Sequence, residues 1–444
     1  MKISLKAPAF FRGASSEIST QVKNGQPRLL YGVVLAIIFE GALRKWLLPG
    51  WLQPVAYLAK DVLAIIFIFL HPIPRRSSLG GSLASISQIV GALLLPAIVL
   101  GFSSSVPAAV MTLKNAVLWP LFAAHLVSRL DTLQTLRIER LLFVCGLALA
   151  ALSLVQYGSP GDALINNYAW DNLETSISVA SFGSSEQIRA TGTFSYITGF
   201  ACFSEVLFCW AICSFVESRD ASRRLWALAA MASAVVCCFT SGSRAPLVYI
   251  GLASLSALFV VSRFGAFLVL GGGWAVLWLL VGLVDPTLGE TYLNRWRSAD
   301  DNVVERISGE GLEFLTTVIS SPLGEGLGAR SQLASYQKQN STGSKSGFSE
   351  DGRVRAGLEA GLVGIVCVTI ALLFLVRQCA LNLLDPNAPG RIGTATIGLC
   401  ATVAVSNCLW FDHNATALWW LSIAFWLWRT QRRFVGVPTF SRST

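Results

Sequence analysis

Charge is what this sequence has least of: Asp, Glu, Lys and Arg make up 13% of its 444 residues, against about 25% in an ordinary soluble domain. That shortage argues against a water-soluble enzyme. Histidine is nearly missing too, with only His71, His125 and His413 present, and no Cys/His spacing of the kind that holds zinc is found. The 10 cysteines all fall in or at the ends of apolar stretches, where a thiol behaves as a small packing group, so no disulfide framework is expected. A Walker-type glycine-lysine loop is absent, and with it the usual seat of nucleotide-driven chemistry. The apolar run 7–11 is too short for the core of a signal peptide, and no small-residue cleavage site follows it. No internal repeat or inverted half-symmetry is legible.

What remains is apolar length, with 53% of the chain hydrophobic. A helix crossing a hydrocarbon core of ~30 Å needs about 20 mostly apolar residues, because nothing in lipid satisfies its backbone. Such runs lie at 29–48, 54–70, 86–102, 106–127, 140–157, 191–216, 225–240, 246–261, 264–284, 356–376, 392–410 and 415–428. They predict an all-α polytopic membrane protein of about 12 spans. With the N-terminus inside, twenty of the 34 basic residues fall on the inner side and twelve on the outer, while Lys60 and Lys114 fall within spans. The short inner connections are the basic ones, as the positive-inside rule requires. The chain then divides into a cytoplasmic arm 1–28, spans one to nine over 29–284 with an outer loop at 158–189, a large outer loop 285–355, spans ten to twelve over 356–430, and a cytoplasmic tail 431–444. Within the large loop, 302–319 is helix-like, 322–328 is a glycine-rich turn, and 337–347 is rich in Ser, Gly and Lys. A loop of that length with elements of its own reads as an ordered lid.

An ionisable group at membrane depth costs at least ~2.5–3.5 kcal/mol, so each one needs a reason. Glu40, Arg44 and Lys45 end the first span, and Lys60 with Asp61 stand in the facing one. Glu40 and Arg44 share a helix face at i, i+4 and can pair; the cluster is either a structural ion network or part of a site. Lys114 and Glu205 read as structural partners. Arg189 opens Arg189-Ala-Thr-Gly-Thr-Phe-Ser-Tyr196, and Arg244 sits in Thr240-Ser-Gly-Ser-Arg-Ala-Pro246, an outer hairpin. Both stand beside Gly, Ser and Thr at expected helix ends, where backbone N–H groups and the helix dipole favour an anion. A guanidinium adds a planar fork matched to phosphate oxygens; snorkelling to the interface is the alternative. Glu350, Asp351, Arg353, Arg355 and Glu359 lead into Gly357, Gly361 and Gly364 at the head of span ten. Glycines at that spacing permit close approach to another helix. A carboxylate between apolar wall and Arg can be tuned as a general base, or it can simply start a helix. His413 lies at the last outer turn and either lines the same cavity or caps the helix.

Three stretches carry a resemblance: Arg189-Ala-Thr-Gly-Thr-Phe194 followed by Gly199-Phe-Ala201, Thr240-Ser-Gly-Ser-Arg-Ala-Pro246, and Ser321-Pro-Leu-Gly-Glu-Gly-Leu-Gly328. In their order around one large outer loop, over roughly residues 141–370, the chain resembles the bacterial O-antigen ligase and polymerase family of polyprenyl-linked glycan transferases. Glu40-Gly-Ala-Leu-Arg-Lys-Trp-Leu-Leu-Pro49 is similar to the first hairpin of an exopolysaccharide-polymerase branch. Ligases of that family carry His, then Asn, Ser or Gln, nine residues, then Gly-x-x-Gly. Counting back from Gly361 and Gly364 puts Glu350 at the His position with Asp351 beside it, a departure that favours a polymerase of repeat units.

The resemblance implies a GT-C-like membrane glycosyltransferase of the bacterial inner membrane with its active site on the periplasmic face. The donor would be a glycan on undecaprenyl diphosphate and the acceptor a second glycan, with no metal or other cofactor and no nucleic acid. Arg189 and Arg244 would hold the diphosphate and Glu350 would take the acceptor proton. Asp351, Arg353, Arg355, Arg44, Lys45 and His413 would line the substrate. Membrane lipids, a flippase and a chain-length regulator are the expected partners. The alternatives are a ligase that moves finished polymer to lipid A core, and a glycolipid flippase or exporter.

Overall fold

In a computed structural model, the structure describes residues 26–73, 78–168, 181, 188–261, 314, 316–331, 352–385, 388, 390–408 and 413–431. Apart from one isolated bridge between Ser181 and Ile188, regular structure among these residues is helical. The long helices are α1 (Gln26–Ala42), α2 (Gln53–Leu70), α3 (Ser78–Leu93), α4 (Leu95–Ser104), α5 (Val106–Arg129), α6 (Thr132–Tyr157), α7 (Ile197–Glu217), α8 (Ala221–Ser241), α9 (Ala245–Val261), α10 (Gly352–Leu383), α11 (Leu399–Cys408) and α12 (His413–Gln431). Six helical stretches are long and apolar enough to cross a membrane, and a seventh arises if α3 and α4 form one bent span. The protein is therefore an all-α, multi-pass membrane protein.

Several helix ends differ from the hydropathy reading, each for a local reason. The span expected from residue 140 begins at Thr132, where Asp131 accepts from Gln134 N and the Gln134 side chain returns to the Asp131 backbone, a capping box that a purely apolar criterion overlooks. The span expected over 86–102 is two helices bent by 50°. Pro96 stands in the first turn of the second helix, where its ring leaves no room for the carbonyl four residues earlier. The span expected from Thr191 becomes helical only at Ile197. The expected span 264–284, most of the large outer loop, Glu350 and Asp351 lie outside the described residues.

One apolar core joins the helices, with Trp119, Trp210, Trp420 and Trp426 fully buried. At its centre α7 has 89% of its most apolar window buried, against 33% for the Gly50–Leu70 stretch. A helix apolar on all sides belongs inside a bundle, and α7 indeed packs against α8, α9 and α12. Lipid-facing positions carry exposed large apolar residues such as Val62, Phe69, Val99, Phe259 and Leu373. The nine cysteines with described side chains are buried, as their apolar settings predict.

Candidate functional site

The first charged cluster folds inward. Past Ala42 the helix widens into a π turn over Leu43–Leu47, which turns Arg44 and Lys45 into the protein, both buried. Arg44 Nη1 donates to Glu40 Oε1 at 2.8 Å, and Lys60 Nζ donates to Glu40 Oε2 at 2.6 Å. The i, i+4 pair is thus present, and Lys60 ties α2 to the same carboxylate. Lys114 of α5 pairs with Asp61 at 2.8 Å. The expected pairing of Lys114 with Glu205 does not occur: Lys114 pairs with Asp61, and Glu205 lies buried on α7. Tyr57 is the hub, with Lys60 Nζ 4.4 Å, Arg44 5.0 Å and Lys114 Nζ 5.0 Å from its ring centre. An aromatic face between cations offsets part of their mutual repulsion.

The first motif is a buried, non-helical strip laid across this cluster. Its backbone groups need partners, since neither water nor a helix supplies them. Gln156 accepts from Gly192 N at 2.8 Å and from Thr191 N at 3.2 Å. Lys45 Nζ donates to Thr191 Oγ1 and to Gly192 O, each at 2.8 Å. Thr193 Oγ1 donates to Ile38 O at 2.6 Å, and Ser195 Oγ accepts from Arg44 at 3.0 Å. The strip lies so close to α1 that a Cβ on Gly41 would fall 2.2 Å from Ser195 N.

Arg189 joins this strip to the second motif. Its Nε donates to Ser241 O and its Nη2 to Ser243 Oγ, both at 2.9 Å, while Ala190 N donates to Thr240 O at 2.9 Å. Arg189 was expected at a helix start, where an anion is favoured. Instead it stands at the C-terminal end of α8, which closes on Gly242 at φ 62°, and a guanidinium there satisfies a carbonyl left over by the helix. Arg244 immediately precedes α9, half-buried, so it does keep company with a helix N-terminus.

The third motif is built into the helical body. Gly324, Gly326 and Gly328 all have positive φ (76°, 104° and 81°), which bends the turn between α4, α5 and the head of α10. Leu327 N donates to Ala97 O at 2.7 Å, and Leu327 is wholly buried. Gly361, at φ 59° and ψ −141°, breaks α10. The carbonyls released there accept from the turn: Leu358 O from Glu325 N and Glu359 O from Gly326 N, each at 2.9 Å. The buried Glu359 carboxylate binds Gly328 N at 2.8 Å, Arg330 N at 3.2 Å and Arg355 Nε at 2.7 Å. Gly361 was expected to admit another helix, but its close neighbour is Pro322 of the turn, whose carbonyl oxygen a Cβ would approach to 2.1 Å.

All three motifs therefore lie at one end of the bundle, linked by side-chain contacts and by short stretches of α5 and α2 between them. Arg355 Nη2 donates to Thr112 Oγ1 at 3.2 Å; α5 then carries Lys114 to Asp61, α2 carries Lys60 to Glu40, and Glu40 leads through Arg44 to the Ser195 strip and on to Arg189. Arg355 and Lys45 are engaged in holding neighbouring segments, and Arg44 in holding the strip. Sequence reasoning missed Gln156 and Tyr57, which organise the strip and the cation cluster; a glutamine near the end of an apolar span is the signal that could have found the first. The side chains of Arg353 and His413 lie outside the described residues, as do Glu350 and Asp351. No protein-family model, curated protein or solved structure matches the chain.

Proposed function

We propose that this protein is a membrane glycosyltransferase that polymerises oligosaccharide repeat units carried on undecaprenyl diphosphate, at the periplasmic face of a bacterial inner membrane. The observation that carries the reading is the set of buried polar contacts, relayed by short stretches of α2 and α5, that joins Arg189, Arg244's hairpin and the Ser321–Gly328 turn at one end of the bundle. Cations exceed carboxylates in the first cluster, where the buried Arg44, Lys45 and Lys60 and the partly buried Lys114 face Glu40 and Asp61. A positive field of that kind suits a diphosphate leaving group.

In the proposed reaction an acceptor sugar hydroxyl attacks the anomeric carbon of the donor glycan. The bond from that carbon to the diphosphate oxygen breaks, and the diphosphate leaves on its lipid. The Glu350 carboxylate takes the hydroxyl proton. Arg244, with Arg353 beside the base, meets the charge that develops on the leaving oxygen. Arg189, Arg44 and Lys45 act through the 189–196 strip and the 240–244 hairpin, and so are positioning residues. His413 and Asp351 line the acceptor side.

The test follows lengthening of lipid-linked repeats on gels, in cells whose only copy of this chain is the variant. Arg244→Ala and Glu350→Gln are expected to abolish polymer at unchanged membrane abundance, and Arg189→Ala to abolish it through the hairpin. Arg244→Lys should rescue little, since a point charge lacks the bidentate fork. Normal polymer from both Arg244→Ala and Glu350→Gln would overturn the scheme. Deletion should accumulate single repeats on the carrier; long chains accumulating there would mean transfer of finished polymer instead.

A further inference from the structure

At the end of the bundle opposite Arg189 and Arg244, the beginnings of α6 and α8 meet the ends of α7, α9 and α12. Between them lies a cleft of about 450 Å³ whose charged lining residues are Glu217, Arg223, Arg391 and Arg429. Two of the three guanidinium groups are neutralised. Arg223 makes a bidentate pair with Glu139, with both contacts at 2.8 Å. Arg429 reaches Glu217 at 3.0 Å and Glu139 at 3.6 Å.

Arg391 differs from these two in forming no ion pair among the described residues; its Nε is also buried without a hydrogen-bond partner among them, a shortfall that Arg429 Nη1 shares. A buried guanidinium N–H left without an acceptor is costly, and the lining carries three cations against the Glu217 carboxylate, so that even with Glu139, which pairs with Arg223 and Arg429 from behind the lining, one positive charge is in excess. Thr132 and Thr135 also line it, and the Thr135 hydroxyl already donates to Asp131 O at 2.7 Å. A planar guanidinium fork with one positive charge in excess is suited to a phosphate ester.

The neighbours of the lining residues indicate the source of that phosphate. Leu133 beside Thr132, Leu225 and Trp226 after Arg223, and Phe259 beside Val260 are all exposed. An amphiphile satisfies both features, with its head in the cleft and its chains along those apolar side chains; a free anion satisfies only the first. A Trp at this level is typical of the lipid–water interface. Basic pockets between spans at the arginine-rich end of a membrane protein are suited to anionic headgroups.

We infer that this cleft binds the headgroup of an anionic phospholipid, with Arg391 as its principal contact. The site is separate from the proposed glycosyl-transfer site and does not depend on it. The experiment is thermal unfolding of the purified full-length protein in zwitterionic detergent, titrated with phosphatidylglycerol, phosphatidylcholine or inorganic phosphate. Phosphatidylglycerol is expected to raise the midpoint saturably by several degrees, as any ligand of the folded state does, whereas phosphatidylcholine and inorganic phosphate leave it unchanged. Arg391→Glu should keep the lipid-free midpoint and need at least fivefold more phosphatidylglycerol for the same shift. Arg391→Gln serves as the second variant and should fall between. An equal response of both variants and the natural protein, an equal response to phosphatidylcholine, or the same shift from inorganic phosphate alone would each overturn the inference.

Discussion

Lys60 has no exposed surface, and its ammonium is tolerable there because Glu40 stands 2.6 Å away and the Tyr57 ring lies beneath it. Deleting one member of a buried ion pair strands the other, a loss of roughly 3–5 kcal/mol. Glu40→Ala is accordingly expected to lower stability by about that amount, read by thermal unfolding in detergent. The double variant Glu40→Ala, Lys60→Met should recover only part of the loss, because the buried Arg44, which shares the Glu40 carboxylate, is still left without it. A Glu40→Ala cost below about 1 kcal/mol would show that water reaches the network. Part of this cluster was legible in the sequence, since Glu40 and Arg44 are one helical turn apart. Lys114 with Asp61 was not, because their meeting depends on how α5 packs against α2, and spacing along one helix says nothing about that. Gln156 escaped for a similar reason: its partners are backbone groups of a strip whose path is set by tertiary packing.

At the scale of elements, glycines mark where segments other than helices press against the bundle. A methyl group on Gly101 would meet Leu327 O at 2.3 Å, and one on Gly361 would meet Pro322 O at 2.1 Å at a backbone φ of 59°. Gly81 and Gly251 have nothing within 4 Å of the corresponding point. Gly361→Ala is expected to cost at least about 1–3 kcal/mol from backbone conformation alone, with the clash added, and to displace the Ser321–Gly328 turn. Gly101→Ala should destabilise through the clash. Gly251→Ala, inside α9, should instead gain roughly 0.5–1 kcal/mol from helix propensity. Thermal midpoints of the three variants, with limited proteolysis near residue 321, check this ordering. Most helices were readable from apolar length, but the 191–196 strip was absorbed into a span because it carries no charge and runs directly into the apolar helix that follows. What makes it non-helical is the set of side-chain donors and acceptors from Lys45, Gln156 and Arg44 that replaces helical hydrogen bonding. Composition does not report such substitutions.

For the molecule as a whole, the two polar ends of the bundle differ in kind, and their orientation across the membrane decides what each can do. One end gathers the three motifs; the other gathers Arg129, Arg223, Arg224, Arg391 and Arg429 at helix ends. In the orientation we propose from the positive-inside rule, the second end faces the cytoplasm and the first faces the compartment where the proposed glycan chemistry takes place. Asp162 lies in the loop after α6 at the motif end, and Ala221 begins α8 at the other; both are exposed. The described native cysteines are buried, and in a Cys408→Ser background an introduced thiol reports its own position. Asp162→Cys is expected to react with a membrane-impermeant maleimide in intact spheroplasts, and Ala221→Cys only after lysis. The reverse pattern would put the motif end in the cytoplasm and remove the proposed substrate from its reach. It would also turn the Arg391 cleft toward the outer leaflet, so one labelling experiment constrains both ends of the protein.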